Sequence, residues 1–354
     1  MSDYVPFLKF KANEIAAIKA LKNPLKKSLT PFFDFPRKED GTTEEDLVKS
    51  IDALYRKYEI NLEPLPYFYI DNYDIDDDLL INGDDNYRYI LEKFSTASIV
   101  PVVGIDRSDS RNDCVFDCKR KGMITSDFIA LRITKEDFES YELVEDDLVD
   151  LLELCKGDFN GLHLILDCRV CDTNTQKVAQ EVVNFIQKIQ SDYQFERIIV
   201  TGSSIPASIR DILEPESERT IVRREVEIAR SVNQKVAIHF GDYTCVSPDY
   251  SDVTVGGGVI RRITAPKLFY PFDHNQQFII RGGSLDSHPR GNRQYEDLSK
   301  TLTSRSFYRT AQYSFGDKYL DEKANAKGND ATPSTVPKPL INLHITYTMK
   351  DFHL

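Results

Sequence analysis

The sequence predicts an α/β fold, a (β/α)8 TIM-like barrel followed by a β-rich C-terminal extension. Three observations support this prediction. Apolar runs rich in β-branched residues alternate with amphipathic stretches, and eight such units follow one another before residue 250. The apolar runs are nearly continuous, which is typical of parallel strands. The main alternative, an open doubly wound sheet, often carries a Gly-rich first crossover, and the chain contains neither GxGxxG nor GxxxxGKS/T.

The predicted strands are the apolar, β-branched runs of the chain. They occupy 4–10, 29–35, 67–71, 98–104, 128–133, 161–167, 197–201 and 235–240. An eighth strand taken from 267–281 instead would shift the barrel by one unit, and the sequence leaves this choice open.

The predicted helices are the amphipathic stretches between these strands. In the clearest of them, Val178, Val182, Phe185 and Ile189 recur every three or four residues, so that one apolar stripe faces a sheet. The predicted helices occupy 12–22, 43–58, 84–94, 111–121, 145–156, 173–190 and 218–233.

The pattern changes after Tyr250. Three segments there are typical of β-hairpins, a helix is predicted at 293–305, and the last apolar stretch, LINLHITYTM, predicts a strand. The hairpin segments are VGGGVIRRI, KLFYPF and QQFIIRGGS. The chain of 354 residues therefore divides into a barrel over 1–250 and an extension over 251–354 that packs on it.

Composition restricts the class of protein. The formal charge of −12 makes nucleic acid an unfavourable partner, since the surface field repels polyanions. The first residues lack a basic segment followed by a long apolar one, and no apolar run approaches the ~20 residues that span a bilayer, so we expect a cytoplasmic protein without membrane contact. Six scattered cysteines predict buried thiols, and the single CxxC, Cys168 and Cys171, does not complete a zinc set.

Candidate site residues lie where the predicted strands end, because the carboxyl ends of barrel strands form the working face of this fold. Nearly every predicted strand ends in a polar or charged group. The candidate catalytic residues are Asp34, Asp71, Asp167, Asp242 and His239. The candidate ligand-binding residues are Lys9, Lys11, Arg132, Arg169, Tyr243 and Arg281.

This ring allows two kinds of chemistry. Converging carboxylates could bind a divalent cation or share acid and base roles, since crowding separates their pKa values. The basic groups could instead pair with the carboxylates or hold a phosphate or carboxylate ligand. Individual Asp residues after strands also serve as ordinary caps and loop starters. The sequence names no metal and no cofactor.

Four further features of the sequence bear on the site. His163 is predicted to be a core histidine, whereas His239 suits packing and a site equally. Gly282 and Gly283 could form an anion-binding nest beside Arg281 or an ordinary hairpin turn. Ser203 has no GxSxG context, which disfavours a hydrolase triad.

Several segments occur together in a recognisable order. They are YVPFLKFKANEIAAIKAL, LTPFFDFP, HFGDY, FIIRGG, NRQYEDLS, YSFGDKYL and NLHITYTM. In this order the chain resembles the beta-protein family of bacteria and phages, named after the beta product of the gop-beta-cll clusters of satellite phages. The resemblance extends from Tyr4 to about Met349.

The resemblance implies a component of a bacterial or prophage-borne anti-phage defence system. Such a component would act through a protein partner encoded in the same cluster, or as a sensor or regulator of a toxic effector. It assigns no role to the matched positions, which are Lys9, Lys11, Glu14, Asp34, Gly241, Asp242, Tyr243, Arg281, Gly282, Gly316, Asp317, His344 and Thr346. The polar ring supports an alternative function, a barrel enzyme of phosphodiesterase or hydrolase type acting on a phosphorylated or nucleotide-like substrate.

Overall fold

The computed structural model describes residues 4–62, 65–250 and 264–354. The strands in these residues, in chain order, are β1 Tyr4–Lys9, β2 Phe32–Asp34, β3 Phe68–Asp71, β4 Ile99–Val103, β5 Phe128–Thr134, β6 Gly161–Val170, β7 Arg197–Ser203, β8 Ser217–Val222, β9 His239–Asp242, β10 Lys267–Phe272 and β11 Gln276–Arg281.

Eight of these strands close a parallel barrel. Their order is β1-β2-β3-β4-β5-β6-β7-β9, and β9 pairs with β1 to complete the ring. The predicted fold class is thereby confirmed. The eighth barrel strand is β9, which overlaps the run predicted at 235–240, whereas the residues at 267–281 form β10 and β11 in a separate antiparallel sheet.

Helices surround the barrel and continue into the extension. In chain order they are α1 Ala12–Lys19, α2 Asn23–Ser28, α3 Glu44–Leu62, α4 Asn86–Lys93, α5 Asp109–Arg120, α6 Lys135–Phe138, α7 Tyr141–Asp158, α8 Thr175–Ile189, α9 Arg224–Asn233, α10 Gln294–Thr303, α11 Phe315–Ala324 and α12 Pro337–Lys350. In α8 the predicted apolar stripe is buried. No helix in the residues that the structure describes is long and apolar enough to cross a membrane.

The barrel has an apolar interior that is separate from the layer between strands and helices. Residues two apart on one strand share a face, so alternate residues of each barrel strand point inward. The interior consists of Val5, Phe7, Phe32, Tyr69, Val100, Val102, Ala130, Ile165, Ile199 and Tyr243. On five of the strands this packed interior supports the charged residue that follows it.

The helix predicted at 218–233 is partly wrong. Its first residues form β8, and only from Arg224 onward is the chain helical, in α9. All six residues of β8 pair antiparallel with β11, from Ser217 opposite Arg281 to Val222 opposite Gln276. This partner lies more than fifty residues away in the chain, so no local pattern could reveal it, although Thr220, Ile221 and Val222 favour a strand.

The strand predicted for LINLHITYTM is also wrong, because this segment lies in helix α12. Pro337 occupies the start of the helix, where its missing N–H is not needed. Every residue from Pro339 to Thr348 is buried, so the sequence shows no amphipathic period, and its Ile and Thr residues resemble a strand. The Thr346 and Thr348 hydroxyls donate to the carbonyls four residues earlier, at 2.8 and 3.0 Å.

The hairpin segments of the extension are only partly described. KLFYPF and QQFIIR form β10 and β11, which pair over six residues and lie in one sheet with β8. The predicted hairpin strand VGGGVIRRI lies outside the described residues. Helix α10 falls within the stretch predicted as helical at 293–305.

Candidate functional site

Five barrel strands carry, at or near their carboxyl ends, a charged side chain that lies inside the barrel mouth. On each of these strands the residue two positions earlier belongs to the apolar interior, for example Phe32 before Asp34 and Ala130 before Arg132. Alternation along a strand therefore points the charged residue inward, one layer higher. Tyr243, directly after β9, is buried beside them. We call these residues the mouth cluster: Lys9, Asp34, Asp71, Arg132, Asp167 and Tyr243.

Arg132 connects the mouth cluster. Its guanidinium group is 0% exposed and donates to Asp71 Oδ2 at 2.8 Å and to Asp167 Oδ2 at 2.6 Å. It also donates to Tyr243 Oη at 2.9 Å, and that hydroxyl donates to Asp167 Oδ2 at 2.5 Å. Buried charges are stable only when they are paired and hydrogen-bonded. Arg132 therefore holds the carboxylates of β3 and β6 at fixed positions.

Asp71 and Asp167 remain ionised. Burial alone would raise the pKa of both groups, but neighbouring guanidinium groups outweigh it and lower both pKa values. For Asp71 these groups are Arg107, which donates to Oδ2 at 2.9 Å, and Arg132. For Asp167 they are Arg132 and Arg169. These two carboxylates therefore act as fixed negative charges.

Asp34 differs from the other mouth carboxylates. Burial, together with the nearby Asp74, raises the pKa of Asp34 to about 7, despite the opposing effects of Lys9 and Arg132. Its Oδ2 atom lies 3.2 Å from Lys9 Nζ, whereas its buried Oδ1 has no hydrogen-bond partner among the described residues. Lys9 also pairs with Asp74. Asp34 is therefore a carboxyl group that changes protonation near neutral pH and has one oxygen available.

Two aromatic rings contact the cations of the mouth. The ring centroid of Tyr73 lies 4.4 Å from the Arg107 guanidinium carbon, 4.5 Å from that of Arg132 and 4.9 Å from that of Arg169. Tyr250 lies 5.0 Å from Lys9 Nζ. Such contacts stabilise desolvated cations. They fix the loops after β3 and β9 against the mouth.

Arg169 reaches the mouth from an irregular part of β6. The β6–β7 register shifts between Asp167 and Val170, and Arg169 has a left-handed backbone with φ of 50°. Its N–H donates to Asp167 Oδ1 at 2.9 Å, and its Nη2 donates to Asp249 Oδ1 at 2.8 Å. Irregularities of this kind redirect side chains beside functional sites.

Asp242 is the clearest correction to the predicted ring. It lies at the carboxyl end of β9, but its side chain faces away from the barrel interior, toward α12 and the turn before α9. Tyr4 Oη donates to its Oδ1 at 2.7 Å, while Arg223 Nη2 and His344 Nε2 lie 2.5 and 2.8 Å from its Oδ2. Burial alone would raise the pKa of Asp242, but His344 and Arg223 hold it well below the ordinary value. His344 itself lies in a helix, where a strand was predicted.

His239 is a second correction. It begins β9 instead of ending it, and therefore lies at the amino end of the barrel, away from the mouth. There it neighbours His163, whose pKa is lowered to about 3 by burial, Arg197 and His239. His163 is 1% exposed and hydrogen-bonded to Tyr69 Oη at 2.8 Å, as expected for a core histidine.

Arg281 and Lys11 lie outside the mouth cluster. Arg281 is on β11, in the sheet of the extension, and donates from Nη1 to the carbonyl of Leu213 at 2.6 Å. Lys11 follows β1 and is exposed, 6.0 Å from the ring centroid of Tyr250. The anion nest, one of the two interpretations of Gly282 and Gly283, is not formed, because the Gly282 N–H donates to the carbonyl of Pro266 and the Gly283 N–H to Gln294 Oε1.

A cavity of about 590 Å³ adjoins the mouth on the side of β1 and β9, between the barrel and the extension. Lys9 belongs both to the mouth cluster and to the wall of this cavity, and Lys11 and Arg281 line it as well. We call it the extension cavity. It brings together basic residues of the predicted ring that do not meet in the mouth itself.

No group of three or more His, Cys, Asp and Glu side chains is arranged to hold a metal ion in the part of the chain that the structure describes. The mouth carboxylates of Asp34, Asp71 and Asp167 are instead each within 3.6 Å of Arg132.

Sequence reasoning missed Tyr73, Asp74 and Tyr250. Asp74 could have been found, because it belongs to the acidic run DNYDIDDD that follows the third strand directly. The two tyrosines carry no comparable signal, since a ring packed on cations is indistinguishable in sequence from any loop aromatic.

Comparison with known proteins gives one informative result. The family model described as Beta protein matches residues 4–350. No curated protein matches the chain at a significant level.

Two solved structures align weakly. Triosephosphate isomerase from Bartonella henselae is 14% identical, with 68% of this chain and 92% of that chain covered and a TM-score of 0.36. Chitinase from Chromobacterium violaceum is 9% identical, with 86% and 91% covered and a TM-score of 0.31. Neither likeness bears on the activity of this chain. The match over residues 4–350 shows that the chain belongs to the Beta protein family.

Proposed function

We propose that the chain is a barrel enzyme that performs acid–base chemistry on a small phosphorylated or nucleotide-like substrate, with Asp34 as the proton-transferring group. The state of Asp34 carries this proposal. Its side chain is 1% exposed, burial and Asp74 raise its pKa to about 7, and its Oδ1 has no hydrogen-bond partner within the described part of the chain.

A carboxyl group with this pKa suits general acid–base catalysis. Such catalysis is most effective when the pKa lies near the working pH, because the group can then both give and take a proton. An ordinary Asp, with a pKa near 3.8, is almost wholly ionised at neutral pH. Asp34 also lies at the carboxyl end of a barrel strand, where enzymes of this fold carry their catalytic groups.

The neighbours of Asp34 have distinct proposed roles. Burial alone would lower the pKa of Lys9, but Asp34 and Asp74 raise it above the ordinary value, so Lys9 stays cationic. From the wall of the extension cavity Lys9 would donate a hydrogen bond to an oxygen of the substrate next to Asp34. Arg132 and Tyr243 would act as positioning residues, because their hydrogen bonds fix Asp167 and Asp71.

The test uses three purified proteins: wild type, Asp34→Asn, and the matched control Asp150→Asn, which changes an exposed Asp on α7. Each is incubated with an extract of cellular phosphorylated metabolites, in parallel samples with added Mg²⁺ or EDTA, and the extract is followed by mass spectrometry. We expect wild type and Asp150→Asn to consume a phosphorylated compound, and Asp34→Asn to be slower by about 100-fold or more. Equal consumption by wild type and Asp34→Asn, or an extract unchanged by wild type, would refute the proposal. The EDTA samples decide whether a divalent cation takes part.

A role in anti-phage defence is a second proposal, supported by membership of the Beta protein family. In this role the chain would act through a protein partner encoded in the same cluster, or as a sensor or regulator of a toxic effector. Phage challenge of cells that carry the cluster intact, without this gene, or with Asp34→Asn tests it. Protection that survives deletion of the gene contradicts the defence role. Protection lost on deletion but retained with Asp34→Asn would favour action through a partner over catalysis.

A further inference from the structure

The extension cavity is built jointly by the barrel and the extension. The barrel supplies residues after β1, β7 and β9, and the extension supplies β10, Arg281, Tyr295 and the start of α12. Its volume of about 590 Å³ is in the range of pockets that enclose small organic ligands. Sites of this kind commonly form where two structural units meet.

The charged residues of the cavity wall are mostly basic. Five are cationic and two are acidic: Lys9, Lys11, Arg210, Lys267 and Arg281 against Glu14 and Asp249. Glu14 is buried, which raises its pKa to about 7, so it is only partly ionised at neutral pH. The cavity therefore presents an excess of positive charge to a ligand.

Two of these cations are poorly compensated. Arg281 is 4% exposed, and its buried Nε has no hydrogen-bond partner in the residues described. Burial and the like charge of Arg210 lower the pKa of Arg281. Lys267 is exposed as a residue, but desolvation of its ammonium group, with Arg281 nearby, likewise lowers its pKa. A bound anion would raise the pKa of both Arg281 and Lys267 again, because a nearby negative charge favours their protonated forms.

The remaining wall is largely apolar. Its side chains include Ile205, Phe269, Tyr295, Val336 and Leu340. Buried apolar and aromatic surface binds the body of a ligand, while a few charged groups fix its orientation. Glu14 adds a buried carboxyl whose Oε2 has no hydrogen-bond partner in the described chain, and which can donate a proton to a ligand oxygen when protonated.

We propose that the extension cavity binds a small organic phosphate or carboxylate with an aromatic or aliphatic body. Lys267 and Arg281 hold the anionic group, and Phe269, Tyr295 and Leu340 contact the body. This inference deepens the proposed function and rests on it for the link to catalysis, since Lys9 borders both the cavity and Asp34. The extension would then be part of the substrate site.

Isothermal titration calorimetry with four probes tests the proposal: phenyl phosphate, phenylacetate, inorganic phosphate and phenol. We expect one of the two aromatic anions to bind at least about tenfold more tightly than both inorganic phosphate and phenol. Only the aromatic anions combine an anionic group for Lys267 and Arg281 with a ring for the apolar wall. The preferred anion then identifies the ligand class. If neither aromatic anion exceeds inorganic phosphate and phenol, the proposal is overturned.

Variants locate the binding. Lys267→Met and Arg281→Met should each weaken the preferred probe about tenfold or more, the loss expected for one charge-assisted hydrogen bond. Lys267 is exposed, so this variant should fold even if Arg281→Met does not. Lys49→Met, at an exposed lysine of α3, is the matched control and should bind as wild type does. Wild-type affinity in Lys267→Met and in a folded Arg281→Met would overturn the assignment.

The same measurements separate the two proposals. Asp34→Asn should retain probe binding within a fewfold, because Asp34 does not line the cavity. Probe binding that depends on Lys267, in a protein whose turnover does not depend on Asp34, would refute the catalytic proposal and keep the cavity assignment. Turnover that requires Asp34, together with probe binding that does not depend on Lys267, would refute the cavity assignment and keep the catalytic proposal.

Discussion

Replacing Asp34 by Asn tests the electrostatics of the barrel mouth directly. The substitution exchanges a titrating carboxyl for a neutral amide of nearly the same shape. Lys9 keeps its contact with Asp74, so the change leaves no lysine without a carboxylate. The measured effect should therefore come mainly from the lost titration.

The expected magnitude follows from the raised pKa. In the folded protein Asp34 has a pKa of about 7, against 3.8 for an ordinary Asp. Between these pH values the folded protein keeps a proton that the unfolded chain has released, so the free energy of unfolding falls as pH rises, by about 1.4 kcal/mol per pH unit. The stabilisation is complete below pH 3.8, is lost by about pH 7, and amounts to roughly 4 kcal/mol. Asn, which does not titrate, should not show this loss.

Urea unfolding of wild type and Asp34→Asn at several pH values between 4 and 8 measures the effect. The free energy of unfolding of the variant minus that of wild type should increase by roughly 4 kcal/mol from pH 4 to about pH 7 and then level off. Asp150→Asn should follow the wild-type curve. Parallel curves for Asp34→Asn and wild type would show that Asp34 titrates as an ordinary carboxyl and would refute the reasoning.

Three further predictions concern contacts away from this titration. Gly316→Ala should destabilise the protein by about 3 kcal/mol or more in urea unfolding, because the added Cβ would collide with the carbonyl oxygen of Pro339. The helical control Gly157→Ala, where nothing lies within 4 Å of the added Cβ, should be neutral or slightly stabilising; equal effects would contradict the packing of α11 on α12. Asp242→Asn should lower the free energy of unfolding by about 3 kcal/mol or more in thermal unfolding, since it removes the buried ion pair with Arg223. A loss below about 1 kcal/mol would argue against this ion pair. Tyr73→Leu should cost about 2 kcal/mol, with Tyr73→Phe near wild type because the ring on the guanidinium groups is kept; similar losses in both would assign the effect to the hydroxyl.

The sequence was sufficient for the barrel and for most of the mouth. Alternation of strand and helix patterns is a local property, and a parallel barrel follows from its repetition. The rule that functional groups follow strand ends then selects Lys9, Asp34, Asp71, Arg132 and Asp167, which the structure brings together. Each of these conclusions needs only short segments of chain.

The errors arose where long-range contacts decide. Asp242 and Tyr243 are neighbours, and a shift of one residue in a strand exchanges its two faces, so the sequence could not show which of the two points inward. The sequence pattern predicts that this strand ends near Phe240, which puts His239 at the mouth, whereas pairing with β1 extends β9 to Asp242. Helix α12 lacks an amphipathic period because it is buried on all sides.

The contacts of α12 have a consequence for how the chain folds as it is made. His344 reaches Asp242, which also accepts a hydrogen bond from Tyr4, so the first strand shares a buried charge with a helix more than three hundred residues later. A ribosome releases these segments on the order of tens of seconds apart. During that interval the nascent barrel lacks the His344 side chain that hydrogen-bonds Asp242 on its eighth strand, and we expect its first and last strands to join stably only after this helix has emerged.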